Sequence, residues 1–167
     1  VARLREVKDE DEITKIRAAA ELGCRLFDEM LAYLRPGLKE TEVAVTLEHA
    51  ARIAGAEAMS FETIVASGER SALPHGRASS ARLPKRGFVT MDFGVVLDGY
   101  MSDMTRTVHI GKARPEEREV YDAVLEAQDI LKRDPNNLQA HKLLGRIYLR
   151  SLGDMQAGTQ SREVLKL

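Results

Sequence analysis

Asp92 and Asp103 stand eleven residues apart in MDFGVVLDGYMSDMTRTVHIG, residues 91–111, and strands rarely carry carboxylates. The segment reads as a β-hairpin because Asp98-Gly99 suits the positive φ of a two-residue type I′ turn. That turn pairs Leu97 with Tyr100, Val95 with Ser102, Gly94 with Asp103 and Asp92 with Thr105. Side chains alternate across a strand. Met91, Phe93, Val95 and Leu97 then join Tyr100, Met104 and Val108 on a core side, and Asp92, Gly94, Asp103, Thr105 and Thr107 take the other. The two aspartates share a face on a diagonal, about 7–8 Å apart at the backbone, and Gly94 is expected to leave open space opposite Asp103. Carboxylates so placed repel unless a cation lies between them or one takes up a proton. Two metal ions about 3.5–4 Å apart, bridged by one carboxylate, fit that space. Two wet acids on a solvated sheet face fit the same pattern. Geometry leaves both readings open.

The elements that must position this hairpin lie on either side of it. Residues 9–35 read as a long amphipathic helix, with Asp9, Glu10, Asp11 and Glu12 at the end the dipole makes favourable for them. Ile13, Ile16, Ala20, Phe27, Leu31 and Leu34 recur at helical spacing, and Pro36-Gly37 ends the run. Cys24 falls on the apolar side, which predicts a buried thiol. A second helix is expected over about 41–54, with Val43, Leu47, Ala50 and Ala54 inward and Gly55 as its stop. Lys39 has no acceptor and cannot cap it. Met59, Phe61, Thr63 and Val65 alternate as one strand over 59–66. Residues 67–87, rich in Gly, Ser and Pro, form a loop of a length more often functional than idle, and His75 lies in it. Pro115 opens a third helix whose apolar side is Val120, Val124, Leu125 and Leu131. Asp134-Pro135 breaks it. A further helix then carries Leu144, Ile147 and Tyr148 on its apolar side, Gly153 stops it, and a last helix runs to Leu167.

Composition bounds the class. The chain has 167 residues, 44% hydrophobic and 31% charged, which suits a folded domain with a real core. A net charge of −1 with the signs interspersed suggests neither nucleic acid nor an anionic membrane as partner. One cysteine rules out an internal disulfide framework and fits a reducing compartment. No apolar run reaches the length of a membrane span and no signal peptide precedes the first charges, so a cytoplasmic protein is expected.

VKDEDEI at 7–13, RPG at 35–37, SFETIVASGERSALPHG at 60–76, MDFG at 91–94 and SDMTRT at 102–107 closely resemble the pita-bread metallopeptidases. The likeness is to their Xaa-Pro aminopeptidase and prolidase branch, over about residues 4–128. It implies an α+β fold: half of a pita-bread domain, an antiparallel sheet under covering helices, followed here by an α-helical hairpin. It also implies that Asp92 and Asp103 are ligands of a dinuclear divalent-metal centre (manganese, cobalt, iron or zinc). His75, by the same resemblance, lies near that centre and contacts peptide substrate. The family draws a histidine and two glutamates, its remaining ligands, from a second half of the same βα plan. Residues beyond 128 hold no Gly-His-Gly or Glu-Pro-Gly type segment. The expectation is therefore metal that is weakly bound or absent, peptide bound only if the site is completed, and no hydrolysis by the chain alone. His109 lies six strand residues from Asp103, roughly 20 Å at about 3.4 Å per residue, and is expected as a polar strand-end residue. His141 and Glu163 are expected on solvated helix faces. Met101 stands where a smaller residue or cysteine is frequent in the family.

Residues 129–167 resemble the helix-turn-helix unit of a tetratricopeptide repeat through DPNN at 134–137, Ala140, LLG at 143–145, Tyr148 and Gly153-Asp154. The expected organisation is a half-domain over 1–128 and a helical segment over 129–167 packed on it. They join in mid-helix, as in a recombined or engineered chimera, where a natural boundary falls in a linker. One repeat unit needs a neighbour to bury its faces, so a homodimer with these helices packed inside it is the expected assembly. A non-catalytic folding or interaction module is the rival to a truncated peptidase.

Overall fold

The computed structural model describes residues 5–147. Helix α1 (Glu10–Tyr33) starts at a reciprocal cap: Asp9 Oδ1 accepts from the Glu12 amide and Glu12 Oε2 from the Asp9 amide, both at 2.9 Å. Its buried residues are Ala19, Leu22, Gly23, Leu26 and Met30. That stripe is rotated in part from the expected one: Phe27 and Leu34 pack against the core and Ile16 is half-buried, as expected, but others are not. Ile13 and Leu31 are 44% and 45% exposed, and Ala20 is exposed too. Cys24, expected to be buried, is also on the outside. The rotation follows from what α1 must touch, since it packs against a second helix and the hairpin tip together. At Gly23 it lies close against Met104: a Cβ there would stand 2.9 Å from Met104 Sδ.

Helix α2 (Glu40–Ile53) runs to Gly55, whose φ of +96° turns the chain away. Lys39 supplies no side-chain cap, as expected; instead Glu42 Oε2 accepts the Lys39 amide at 2.7 Å. Val43 and Leu47 are buried, Ala50 is half-buried, and Ala54 is exposed where burial was expected.

Six strands follow: β1 (Ala58–Met59), β2 (Ile64–Ser67), β3 (Gly87–Phe93), β4 (Val95–Leu97), β5 (Tyr100–Met101) and β6 (Met104–Ile110). They form two antiparallel sheets of order β1-β4-β5 and β2-β3-β6. The one strand expected over 59–66 is therefore two, one in each sheet. It breaks because its neighbour breaks: the hairpin changes sheets at Gly94, whose carbonyl accepts the Ser60 amide at 2.8 Å. The hairpin register is the expected one, Leu97 with Tyr100 and Asp92 with Thr105, about a turn with Asp98 at φ +49° and Gly99 at +75°.

Helices α1 and α2 cover one face of the sheets. Leu22, Leu26, Leu47, Val65, Val89, Met91, Phe93 and Val95 form the centre of the core, with Leu97, Met104 and Val108 packed against it. Tyr100 is half-buried, and its hydroxyl donates to Glu12 Oε1 at 2.9 Å, tying the hairpin tip to the α1 cap. Helix α3 (Pro115–Arg133) opens on proline and ends at Asp134. Residues 138–147 are helical again, with Asn137 Oδ1 accepting the Ala140 amide at 3.0 Å. His141 is exposed there, as expected. Tyr148, Gly153, Glu163 and the expected last helix lie outside the described residues. The apolar side of α3 is less covered than its pattern predicts: Val120 and Leu125 are 44% and 43% exposed, and Ala127 is its buried residue.

Candidate functional site

Asp92 lies on β3 between Met91 and Phe93, which point into the core, so its own side chain turns to the opposite face and is half-buried. Thr105, its partner across the ladder, donates its hydroxyl to Asp92 Oδ1 at 2.9 Å. Asp103 lies between β5 and β6 and is exposed. Its neighbour Ser102 turns inward and splints the break. The Ser102 amide donates to the Val95 carbonyl at 2.9 Å, and Ser102 Oγ accepts the Val95 amide at 3.0 Å. The open space expected beside Gly94 does not exist. A Cβ there would sit 1.8 Å from the Ser102 carbonyl oxygen and 3.0 Å from Ser60 Oγ. Backbone fills the gap, because the strands must cross closely where they change sheets.

The outward face of β3 and β6 is one wall of a groove of about 970 Å³, and α3 is the other. Thr105, Phe88 and the Thr90 and Thr107 hydroxyls, 3.1 Å apart, line the sheet side. Val120, Tyr121 and Leu125 line the helix side. His109 anchors the start of α3, which is more than the polar strand-end role expected of it. Its ring meets Phe88 edge-on with centroids 5.1 Å apart, and Nδ1 lies 3.1 Å from the Gly111 carbonyl. Nε2 is 3.2 Å from Glu117 Oε2, within ion-pair range but off the line of a hydrogen bond. Glu117 is held acidic chiefly by the Arg114 amide and then by the Arg114 guanidinium, which push its carboxyl down to about 2.

His75 is exposed within the long loop. That loop is not structureless. It contains a 3₁₀ turn over Gly68–Ala72 and bridges Arg77 to Ile64 and Arg82 to Lys39. The Ala81 and Ser79 carbonyls accept the Glu40 and Thr41 amides at 2.9 and 3.1 Å, so the loop closes the first turn of α2. Beneath it lies Glu40, fully buried, which sequence reasoning missed. Its one signal was an acid at the first helical position, and surface helices show that as often.

Residues 14–133 match the family model described as Metallopeptidase family M24. The chain belongs to metallopeptidase family M24. The match runs through the end of α3. An uncharacterized peptidase of Staphylococcus aureus is 41% identical over 128 residues, 77% of this M24 chain and 36% of that peptidase. Among solved structures, the Xaa-Pro dipeptidase from Bacillus anthracis is 45% identical with a TM-score of 0.73, over 75% of this chain and 36% of that one. The X-Pro aminopeptidase from Thermotoga maritima is 46% identical with a TM-score of 0.74, over 76% of this chain and 36% of that one. The prolidase from Pyrococcus furiosus is 40% identical with a TM-score of 0.74, over 76% of this chain and 38% of that one. The M24 chain thus spans little more than a third of these relatives' length, and what it shares with them is α+β, a partial pita-bread fold.

An M24 metallopeptidase needs a metal shell, and the residues present fit only part of one. Asp92 offers a half-buried carboxylate on the outward side of β3, and Asp103 an exposed one in the break between β5 and β6. Among the described residues no three His, Cys, Asp or Glu side chains converge as a metal-holding group, so neither His75 nor His109 joins them as a third donor. Tight binding requires a fuller and preorganised set. Among the described residues no helix is long and apolar enough to cross a membrane.

Proposed function

We propose that this chain is one half of an Xaa-Pro-type peptidase site and does not hydrolyse peptides by itself. Asp92 and Asp103 are its two contributions to a divalent-metal centre, and His75 is its substrate-contacting side chain. The reading is supported by one observation: Asp92 keeps its expected place opposite Thr105, on the outward side of β3, in a chain 45% identical to an Xaa-Pro dipeptidase. Manganese, cobalt, iron or zinc, when bound in such a centre, supplies Lewis acidity and an activated water. The residues of this chain do the positioning. Thr105 orients the Asp92 carboxylate through its 2.9 Å hydrogen bond, and β3 fixes Asp92 between two core residues. The loop presents His75 to solvent. Two carboxylates leave the shell open, so no hydrolytic step is assigned to the chain alone.

The domain division follows the same reading: a half-domain over 1–128, and a tetratricopeptide-like helical piece over 129–167. The break at Asp134-Pro135, the Asn137 cap and the burial of Ala140 support that second piece. A cytoplasmic location goes with the single, exposed thiol. A second reading, a non-catalytic module that pairs with another copy, is favoured by the half-exposed side of α3, where Val120, Tyr121 and Leu125 are 40–44% exposed.

Titration calorimetry with manganese or cobalt tests the first reading. Binding near the millimolar range is expected, as for loosely organised oxygen sites, with loss in Asp92→Asn and Asp103→Ala and no turnover of Xaa-Pro dipeptides. Micromolar affinity, or turnover that vanishes in Asp103→Ala, overturns it. Light scattering that returns the mass of one chain removes the second reading.

A further inference from the structure

We infer that Glu40 is the positioning residue of the loop that carries His75. The inference rests on the reading of His75 given above, although the geometry behind it stands by itself. Glu40 is the first residue of α2 and is 0% exposed. Its Oε1 accepts the Ser67 amide at 2.8 Å and the Ser67 hydroxyl at 2.9 Å. Its Oε2 accepts the Ser79 hydroxyl at 2.6 Å, the Ser79 amide at 3.1 Å and Arg70 Nε at 3.2 Å. A carboxylate shut away from water persists only when donors fill its oxygens, and here five do. The amino-terminal end of α2 favours the same charge.

These contacts grip both ends of one segment. Ser67 closes β2 on one side, Ser79 begins the strap along α2 on the other, and His75 lies between them. Arg70 extends the grip inward. While its Nε holds Glu40, its second guanidinium nitrogen donates to the Arg77 carbonyl at 2.8 Å, and its own carbonyl accepts the Leu73 amide at 2.9 Å. Residues 73 and 77, either side of His75, are thus both tied to the residue that Glu40 holds. Gly76 completes the seat, since a Cβ there would stand 2.9 Å from Ala66 Cβ and 3.2 Å from Leu73 Cβ. The backbone after His75 has one place to lie. The arrangement is a buried acid under an exposed histidine, with the loop fixed between them.

Glutamine at this position keeps the shape but turns an amide NH₂ toward groups that already donate. In Glu40→Gln, hydrogen exchange read by NMR is expected to quicken at least tenfold at the Ser67 and Ser79 amides and across 68–78. The His75 ring resonances should shift, while the amides of Leu22, Leu47 and Met91 keep their protection. Unchanged exchange at Ser67 and Ser79, or unmoved His75 resonances, overturns the proposal. If Glu40→Gln loosens the core as well, Ser79→Ala, which removes the 2.6 Å hydroxyl donor to Glu40 together with the acceptor of the Ala81 amide at 3.1 Å, decides. A His75 shift with the core intact supports the proposal, and any other result overturns it. An Xaa-Pro dipeptide titrated into the unmodified chain addresses the role of His75 separately. Silent His75 resonances there remove its substrate role, and the Glu40 result stands or falls by the exchange data.

Discussion

Gly94 and Ser102 approach so closely that a methyl group on Gly94 would sit 1.8 Å from the Ser102 carbonyl oxygen. The obstacle is backbone, on a splint that also holds Val95 through three hydrogen bonds, and it cannot rotate aside. Gly94→Ala is therefore expected to destabilise the fold by more than about 2 kcal/mol. Gly99→Ala makes the useful contrast. It meets no atom within 4 Å and suffers only a φ of +75°, a strain of about 1 kcal/mol. Urea unfolding of both variants checks the ranking, and equal costs would contradict the close crossing.

The rotated face of α1 predicts a second contrast. Leu22 is 1% exposed and Leu31 is 45% exposed. Leu22→Ala is expected to cost about 2–5 kcal/mol through transfer and cavity terms. Leu31→Ala should stay within about 0.5 kcal/mol. The same unfolding experiment decides it, and a reversed order restores the stripe expected from the periodicity.

Cys24 lies on that exposed side of α1. A disulfide reagent should titrate one thiol per native chain, at a rate that denaturant raises little. Cys24→Ser should leave the melting temperature unchanged within error. A thiol that reacts only after unfolding is incompatible with this placement.

Glu117 makes part of the stability depend on acidity. Its carboxyl is depressed from an ordinary 4.5 to about 2, first by the Arg114 amide and then by the Arg114 guanidinium. A lowered folded-state value gives stabilisation that is complete above 4.5 and is lost as pH falls toward 2. The melting temperatures of the parent chain and Glu117→Gln should differ by a constant amount down to pH 4.5, then converge by about pH 2. A gap unchanged across that interval would mean that the contact is not ionic.

The hairpin register was legible on both sides of the break at Gly94, though not the break itself, because its information is local. Asp98-Gly99 sets the turn, and a period of two then assigns each residue from Met91 to Val108 a side. The two aspartates came with it. Helix α1 was legible as a helix but not in its facing, because apolar residues lie on more than one of its sides. A periodicity cannot choose among them; packing against β4, β5 and Met104 of β6 does. The exposure of Cys24 follows from that choice.

What the sequence by itself determined, then, is most of the elements, the register that sets Leu97 opposite Tyr100 and Asp92 opposite Thr105, and the family motifs, all of which depend on neighbours within a few residues along the chain or across one turn. The tertiary structure alone decided which side of α1 is covered, that Gly94 is closed by the Ser102 backbone, and that α3 stands across a groove from the acid-bearing face. It alone decided the burial of Glu40 as well. The donors that make that burial tolerable, Ser67 and Ser79, are 27 and 39 residues away. A charged side chain is buried or solvated according to such distant partners, and no local pattern contains them.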